Sequence, residues 1–316
     1  MNAVSVNNVA PGASNYDLLA DALNGLYIDG DDSDDITLNR LEISLQQKVK
    51  AVIDGEYPLD SLPIFPTTAS ALLPRLNDSE VSLERIEPMI AQDPALAAEV
   101  IKLANDGFLK RSLKPVTSLE QALGVLEIEQ LRTILLKALL RPSIPIKPIF
   151  YNLVGRPLWD HARDCATACK TLAPNHQIDA DDGYLLGLVH DAGKLVIFKL
   201  LCSAFRATSA TVSPRAGIVA RMVQRYANEL SHCLARHWNF PPSFLDAIEE
   251  QGATAPARMS ALGRTLFQGN LVAEAYVVMQ KHRFSRSTLE EALRRFDLSL
   301  DLVYSIFPAA PRPAAR

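Results

Sequence analysis

The chain has no apolar run long and uninterrupted enough to cross a bilayer, and no charged-then-apolar leader at its start. It has four cysteines, and none stands at the C-x-x-C spacing of a structural zinc site or a redox pair. Cys165 and Cys169 are four residues apart, the spacing of two small residues on one face of a helix. These absences point to a reducing, cytoplasmic setting without a membrane span. No segment alternates apolar and polar residues as a half-buried strand would, so the expected fold is all-α. There is no glycine-rich phosphate loop, no dinucleotide fingerprint and no Ser-His-Asp set. A net charge of −4 argues against a general nucleic-acid binder, which needs a basic surface to neutralise phosphates.

What is present is apolar and helical. Hydrophobic residues make up 48% of the chain, enough for a substantial core. The most informative stretch is Tyr184–Leu201, an apolar run of helical length interrupted by His190-Asp191 and Gly193-Lys194. A buried carboxylate without a partner costs several kcal/mol or shifts its pKa. The doublet therefore either ligates a divalent metal or forms a polar knot with its neighbours. Trp159-Asp160-His161, on an earlier expected helix, supplies a further ligand.

His161 together with GLVHDAGKL (Gly187–Leu195) resembles the HD superfamily of metal-dependent phosphohydrolases, and more closely its HDOD branch of bacterial signalling domains. The resemblance runs from about Leu59 to Ala275. It includes LPIFPTTASALLPRLND (Leu62–Asp78), AQDPALAAEVIKLAND (Ala91–Asp106), SLEQALGVLEIEQLRTILL (Ser118–Leu136) and HWNFPPSFLDAI (His237–Ile248). It implies a two-lobed helical scaffold, an N-terminal bundle followed by an HD-like lobe, that regulates through contacts with signalling proteins. Cyclic-dinucleotide and stress-response circuits are the implied settings.

In the enzymes of the superfamily the pattern H…HD…D holds a metal that activates water and polarises a phosphoryl oxygen. His161, His190 and Asp191 match its first three positions, and Asn270 falls at the fourth. An amide brings no charge, so the resemblance implies a vestigial site, with a weak divalent ion as its cofactor if any. The cyclic-dinucleotide branch, HD-GYP, has further histidines where this chain has Ala227 and Glu250-Gln251. Lys194 of HD-x-GK is kept. His232 and His237 lie near these gaps, but His237 precedes Trp238, expected to face the core, and should point elsewhere. Trp159 and Trp238 read as core anchors, and His176 and His282 as surface residues. Three readings follow: a non-catalytic regulatory scaffold, a phosphohydrolase acting on a nucleotide or cyclic dinucleotide, and a small-ligand sensor using the groove between lobes.

The expected organisation is an acidic helical extension over 1–57, an N-terminal lobe over 58–145, an HD-like lobe over 146–306 and a flexible tail over 307–316. The extension starts disordered to about Asn15 and has a helix over Tyr16–Tyr27. The acidic loop Asp29–Asp35 is not an EF-hand, since Arg40 stands where the closing glutamate belongs. A second helix is expected over Ile36–Ile53, with Leu38, Leu41, Ile43, Leu45, Val49 and Val52 on its apolar face. Ten acids against three bases give residues 1–58 a net −7, leaving +3 for the remainder. Ser82, Asp93-Pro94 and Ser118-x-x-Gln121 mark helix starts, the last helix running to about Leu140. The prolines of Arg141–Pro148 separate the lobes. Helices follow over Phe150–Leu172, from Asp181-Asp182 through the doublet, from Pro214, and over Asn228–Trp238, Ser243–Gln251, Met259–Met279 and Ser287–Phe296.

Overall fold

A computed structural model describes residues 38–56, 72, 83–91, 93–105, 115–128, 130, 131, 134, 156–207, 216–237, 240–253, 255–281 and 285–311. The expected disordered start, the first helix, the acidic loop, Ser82, Pro214, the proline-rich separator and His282 lie outside them, as do the side chains of Trp159 and Trp238. All regular structure among the described residues is helical. None of these helices is long and apolar enough to cross a membrane.

Helix α1 is Arg40–Ile53. It starts later than expected because the Asn39 side chain accepts from the amides of Leu41 and Glu42, while Glu42 returns to the Asn39 amide. That reciprocal cap also explains how Glu42 can be fully buried. Leu41, Leu45, Val49 and Val52 form the inward face. Ile43, two residues from Leu41, points outward and is 41% exposed, which corrects its place on the apolar face. Helices α2 (Leu83–Ile90) and α3 (Pro94–Ala104) follow. Asp93 caps α3 by accepting from the Leu96 amide at 3.1 Å.

Helix α4, Leu119–Val125, is shorter than expected. Ser118 caps it, but Gln121 reaches back to the Thr117 amide rather than closing a box on Ser118. Leu126 then turns extended (φ −90, ψ 142), and a new helical turn begins at Glu127, whose amide donates to Gln130. In an unbroken helix Leu126 and Leu131 would lie about 140° apart. The break lets both be buried.

The second half is built from α5 (Arg156–Leu172), a 3-10 turn (Ala173–His176), α6 (Ala180–Val189), α7 (Ala192–Ala207), α8 (Ala216–His237), α9 (Pro242–Ala253), α10 (Ala261–Gln280), α11 (Arg286–Arg294) and α12 (Leu300–Ile306). Helix α8 is one continuous element of 22 residues, not the two that were expected. Helix α12, capped by Ser299, was not foreseen. The expected tail begins as packed structure: Phe307 and Ala310 are buried, and the Phe307 ring stacks on Tyr276 at 4.2 Å.

Helix α5 lies between α6 and α10. Gly187 permits the first contact, since a Cβ there would sit 2.8 Å from the Cys165 carbonyl and the Ala166 Cα. With Gly183 four residues earlier, it lets α6 rest on the backbone of α5. Helix α1 packs on α7 and α8, and Leu45, Val49 and Val52 join the main core. Lys48 donates to Ser203 at 3.1 Å across the α1–α7 contact. A satellite core fills the far face of α10 with α11, α12 and Phe307.

Candidate metal centre

Tyr184–Leu201 is two helices, not one, and the doublet is the corner between them. The His190 amide closes α6 on the Leu186 carbonyl, and the Lys194 amide opens α7 on the Asp191 carbonyl at 2.9 Å. The corner is pinned from α8. Gly193 donates its amide to Ser231 Oγ at 2.9 Å and packs so closely on the backbone at Ala227 that no side chain would fit. Charged residues interrupt the apolar run because a corner turns them toward α5 and α10.

His161 comes from α5, Lys194 from the first turn of α7, and Asn270 and Glu274 from one face of α10. His161 Nε2 lies 3.5 Å and His190 Nε2 3.4 Å from Asp191 Oδ2, and the three ligand atoms are within 4.8 Å of one another. The structure thus brings together the three residues expected to ligate a metal. It places two further groups among them. Lys194 Nζ donates to the same Asp191 oxygen at 2.6 Å. Asn270 bridges His161 and Glu274, with Oδ1 3.0 Å from His161 Nε2 and Nδ2 donating to Glu274 Oε1 at 3.0 Å.

The hydrogen bonds assign the tautomers. His190 Nδ1 lies 2.8 Å from the Gly187 carbonyl, which only accepts, so Nδ1 carries a proton. Burial pushes the His161 pKa down to about 3, so this ring is neutral. Asn270 must present its amide to Glu274, and that orients Oδ1 toward His161. Nε2 of His161 is therefore the donor. His161 Nδ1, His190 Nε2 and Glu274 Oε2 are left buried without hydrogen-bond partners among the described residues.

The charges are balanced internally. Burial opposes ionisation of Asp191, but His190, the Lys194 ammonium and the N–H of the neutral His161 ring outweigh it and hold the carboxylate well below its usual range. Burial likewise opposes the charge on Lys194, and Asp191 more than restores it. Burial pushes the Glu274 carboxyl up to about 7, against the pull of Lys194. Glu274 escaped the sequence reading, although its position four residues after Asn270 in an apolar helix is a visible signal.

These residues do not fit the catalytic ion that the H…HD…D pattern implies. A metal needs the lone pair of His161 Nε2, and Asn270 fixes a proton there. Asp191 is already neutralised by Lys194, and the fourth position is an uncharged amide.

The residues standing where HD-GYP members have histidines do structural work. Glu250 accepts from the Ser260 amide and hydroxyl at 2.9–3.1 Å, and Gln251 donates to the carbonyls of Ala247 and Gly263. Together they tie α9 to the start of α10. Ala227 is buried against the corner. His237 points away from the site, as expected, with Nε2 2.9 Å from Lys102 Nζ of α3. His176 is not a loose surface residue: it is half-buried and bonds Gln268 of α10 at 2.8 Å.

Comparison with protein families matches the HDOD domain over residues 62–254. Among solved structures, the chain is similar to the MmoQ response regulator from Methylococcus capsulatus, at 20% identity and a TM-score of 0.59, covering 79% of this chain and 99% of that one. It is also similar to a virulence factor from Campylobacter jejuni, at 14% identity and a TM-score of 0.54, covering 87% of this chain and 98% of that one. At these identities the likeness is one of fold. Comparison with curated proteins returns no match.

Proposed function

The chain belongs to the HDOD domain family, and from that premise we propose that it is a non-catalytic bacterial regulatory scaffold acting through protein–protein contacts. The observation that carries this reading is Asn270. It spends both ends of its amide on the protein, one on His161 and one on Glu274, where a phosphohydrolase would spend a carboxylate on an ion. The His161–Asp191–Lys194–Glu274 cluster then serves as a polar knot that sets α5, the α6–α7 corner and α10 in register. Lobes over 58–145 and 146–306 present the surfaces that partners read, and cyclic-dinucleotide or stress circuits are the settings the family suggests.

The second reading, a metal-dependent phosphodiesterase, is favoured by one observation, the three ligand atoms within 4.8 Å. Metal analysis of purified protein and a phosphodiesterase assay with manganese or magnesium separate the two. The scaffold reading expects far less than one ion per chain and no turnover of bis-p-nitrophenyl phosphate or a cyclic dinucleotide. Stoichiometric metal with turnover would sink it.

A further inference from the structure

A second stripe of α6 faces a different neighbourhood. Asp181, Tyr184, Leu185 and Leu188 recur at helical spacing and, with Glu87 of α2 and Lys170 of α5, line a cleft of about 280 Å³ at the seam with the first lobe. Leu185 and Leu188 are buried in its floor. Lys170 donates to Asp181 at 3.1 Å, and its ammonium lies 5.7 Å from the centre of the Tyr184 ring. The protein therefore already seats one of its own cations against the carboxylate and ring of this cleft. Glu87 is a second carboxylate in the lining, and among the described residues its side chain accepts no hydrogen bond. Burial, with Glu120 and Asp181 nearby, pushes its pKa up against the pull of Lys170, so a further cation would relieve it.

We infer that this cleft is a docking seat for an arginine side chain of a partner protein, its guanidinium on Glu87 and its alkyl stem over Leu185 and Leu188. Arginine fits better than lysine, because its planar fork pairs with a carboxylate through two bonds and sheds water more readily. A protein fits better than a free small molecule. The rim side chains of Lys170 and Asp181 are 53% and 43% exposed, so the cleft encloses little and the surrounding surface must hold the occupant. The inference deepens the scaffold reading and rests on it.

The test is methyl NMR on the full-length protein with acetyl-Leu-Arg-Leu-amide as the probe. The expected result is saturable shifts at Leu185 and Leu188, absent when citrulline replaces arginine, with affinity about tenfold weaker in Glu87→Gln. The citrulline peptide removes the charge and leaves the protein intact, so the conclusion does not depend on a variant folding. No saturable shift at millimolar peptide, or equal binding of the citrulline peptide, overturns the proposal. So does an unchanged affinity in folded Glu87→Gln. Agmatine binding as tightly as the tripeptide also overturns it, by assigning the cleft to a small cation. None of these results touches metal content or phosphodiester turnover, so failure here leaves the scaffold reading standing.

Discussion

Replacing Asn270 with aspartate tests how the centre is closed. The substitution is isosteric and restores a carboxylate at the fourth ligand position of the H…HD…D pattern. Without metal it should destabilise the fold. The bond from Asn270 Nδ2 to Glu274 Oε1 disappears, and two buried carboxyls face each other at hydrogen-bond distance, where both cannot ionise. Loss of a buried bond of this kind costs about 1–3 kcal/mol. The new carboxylate also accepts from His161 Nε2 as a charge-assisted bond, which offsets about 1 kcal/mol. A net loss of about 1 kcal/mol should lower Tm by roughly 1.5 °C in a chain of this size. With metal the sign reverses. His161 can release its proton from Nε2, and four protein ligands become available for a divalent ion. An ion held at 100 times its Kd contributes about 2.7 kcal/mol, enough to restore the lost stability. The assay is differential scanning fluorimetry of metal-stripped wild type and Asn270→Asp, with and without manganese or zinc, alongside elemental analysis. The variant should be destabilised when stripped and rescued by the ion, and wild type should shift little. If wild type gains as much as the variant, Asn270 is not what closes the site.

Three further outcomes follow from the packing. Asp191→Asn leaves the Lys194 ammonium without its carboxylate and should cost about 3 kcal/mol in urea unfolding. Adding Lys194→Met should recover part of that loss, and strictly additive effects would show that the 2.6 Å pair is not coupled. Deleting residues 1–56 removes α1 and uncovers the core positions it fills. Four buried aliphatic side chains lose about 1.5–3 kcal/mol each at most, so the truncated chain should lose its near-UV circular dichroism, and a native spectrum would place the structural boundary after α1. Asp164 is a case of pH linkage. Burial raises its pKa from 3.8 to about 6, so the folded state binds its proton more readily, and the penalty for ionising it grows as pH rises from 4 through 6. Asp164→Asn should therefore raise stability by about 1 kcal/mol at pH 7–8, after discount for its partial exposure, and change little at pH 4. An equal gain at both pH values would refute the titration.

Signals confined to a few residues were legible in the sequence, because the physics behind them acts within one turn. Asp93-Pro94 and Ser118 start helices through bonds to amides three residues ahead, and the order of their residues is sufficient. The apolar periodicity of Leu41, Leu45, Val49 and Val52 likewise determined an inward face. The doublet announced a buried polar site because charge inside an apolar run is costly wherever the chain goes.

Only the tertiary structure decided the rest. Nothing local distinguishes a corner at His190-Asp191 from a continuing helix, since the corner depends on the bond from Gly193 to Ser231, 38 residues further on, and on the close approach of α8. The continuity of α8 and the break after Val125 depend in the same way on which faces find neighbours. The sequence placed Asn270 at the fourth ligand position, but it did not say what the amide would do there. Its oxygen meets a ring 109 residues earlier, and its nitrogen meets Glu274 on its own helix. Whether those atoms hold an ion or each other is a matter of distance between α5 and α10, set by the packing of α5 against its neighbours.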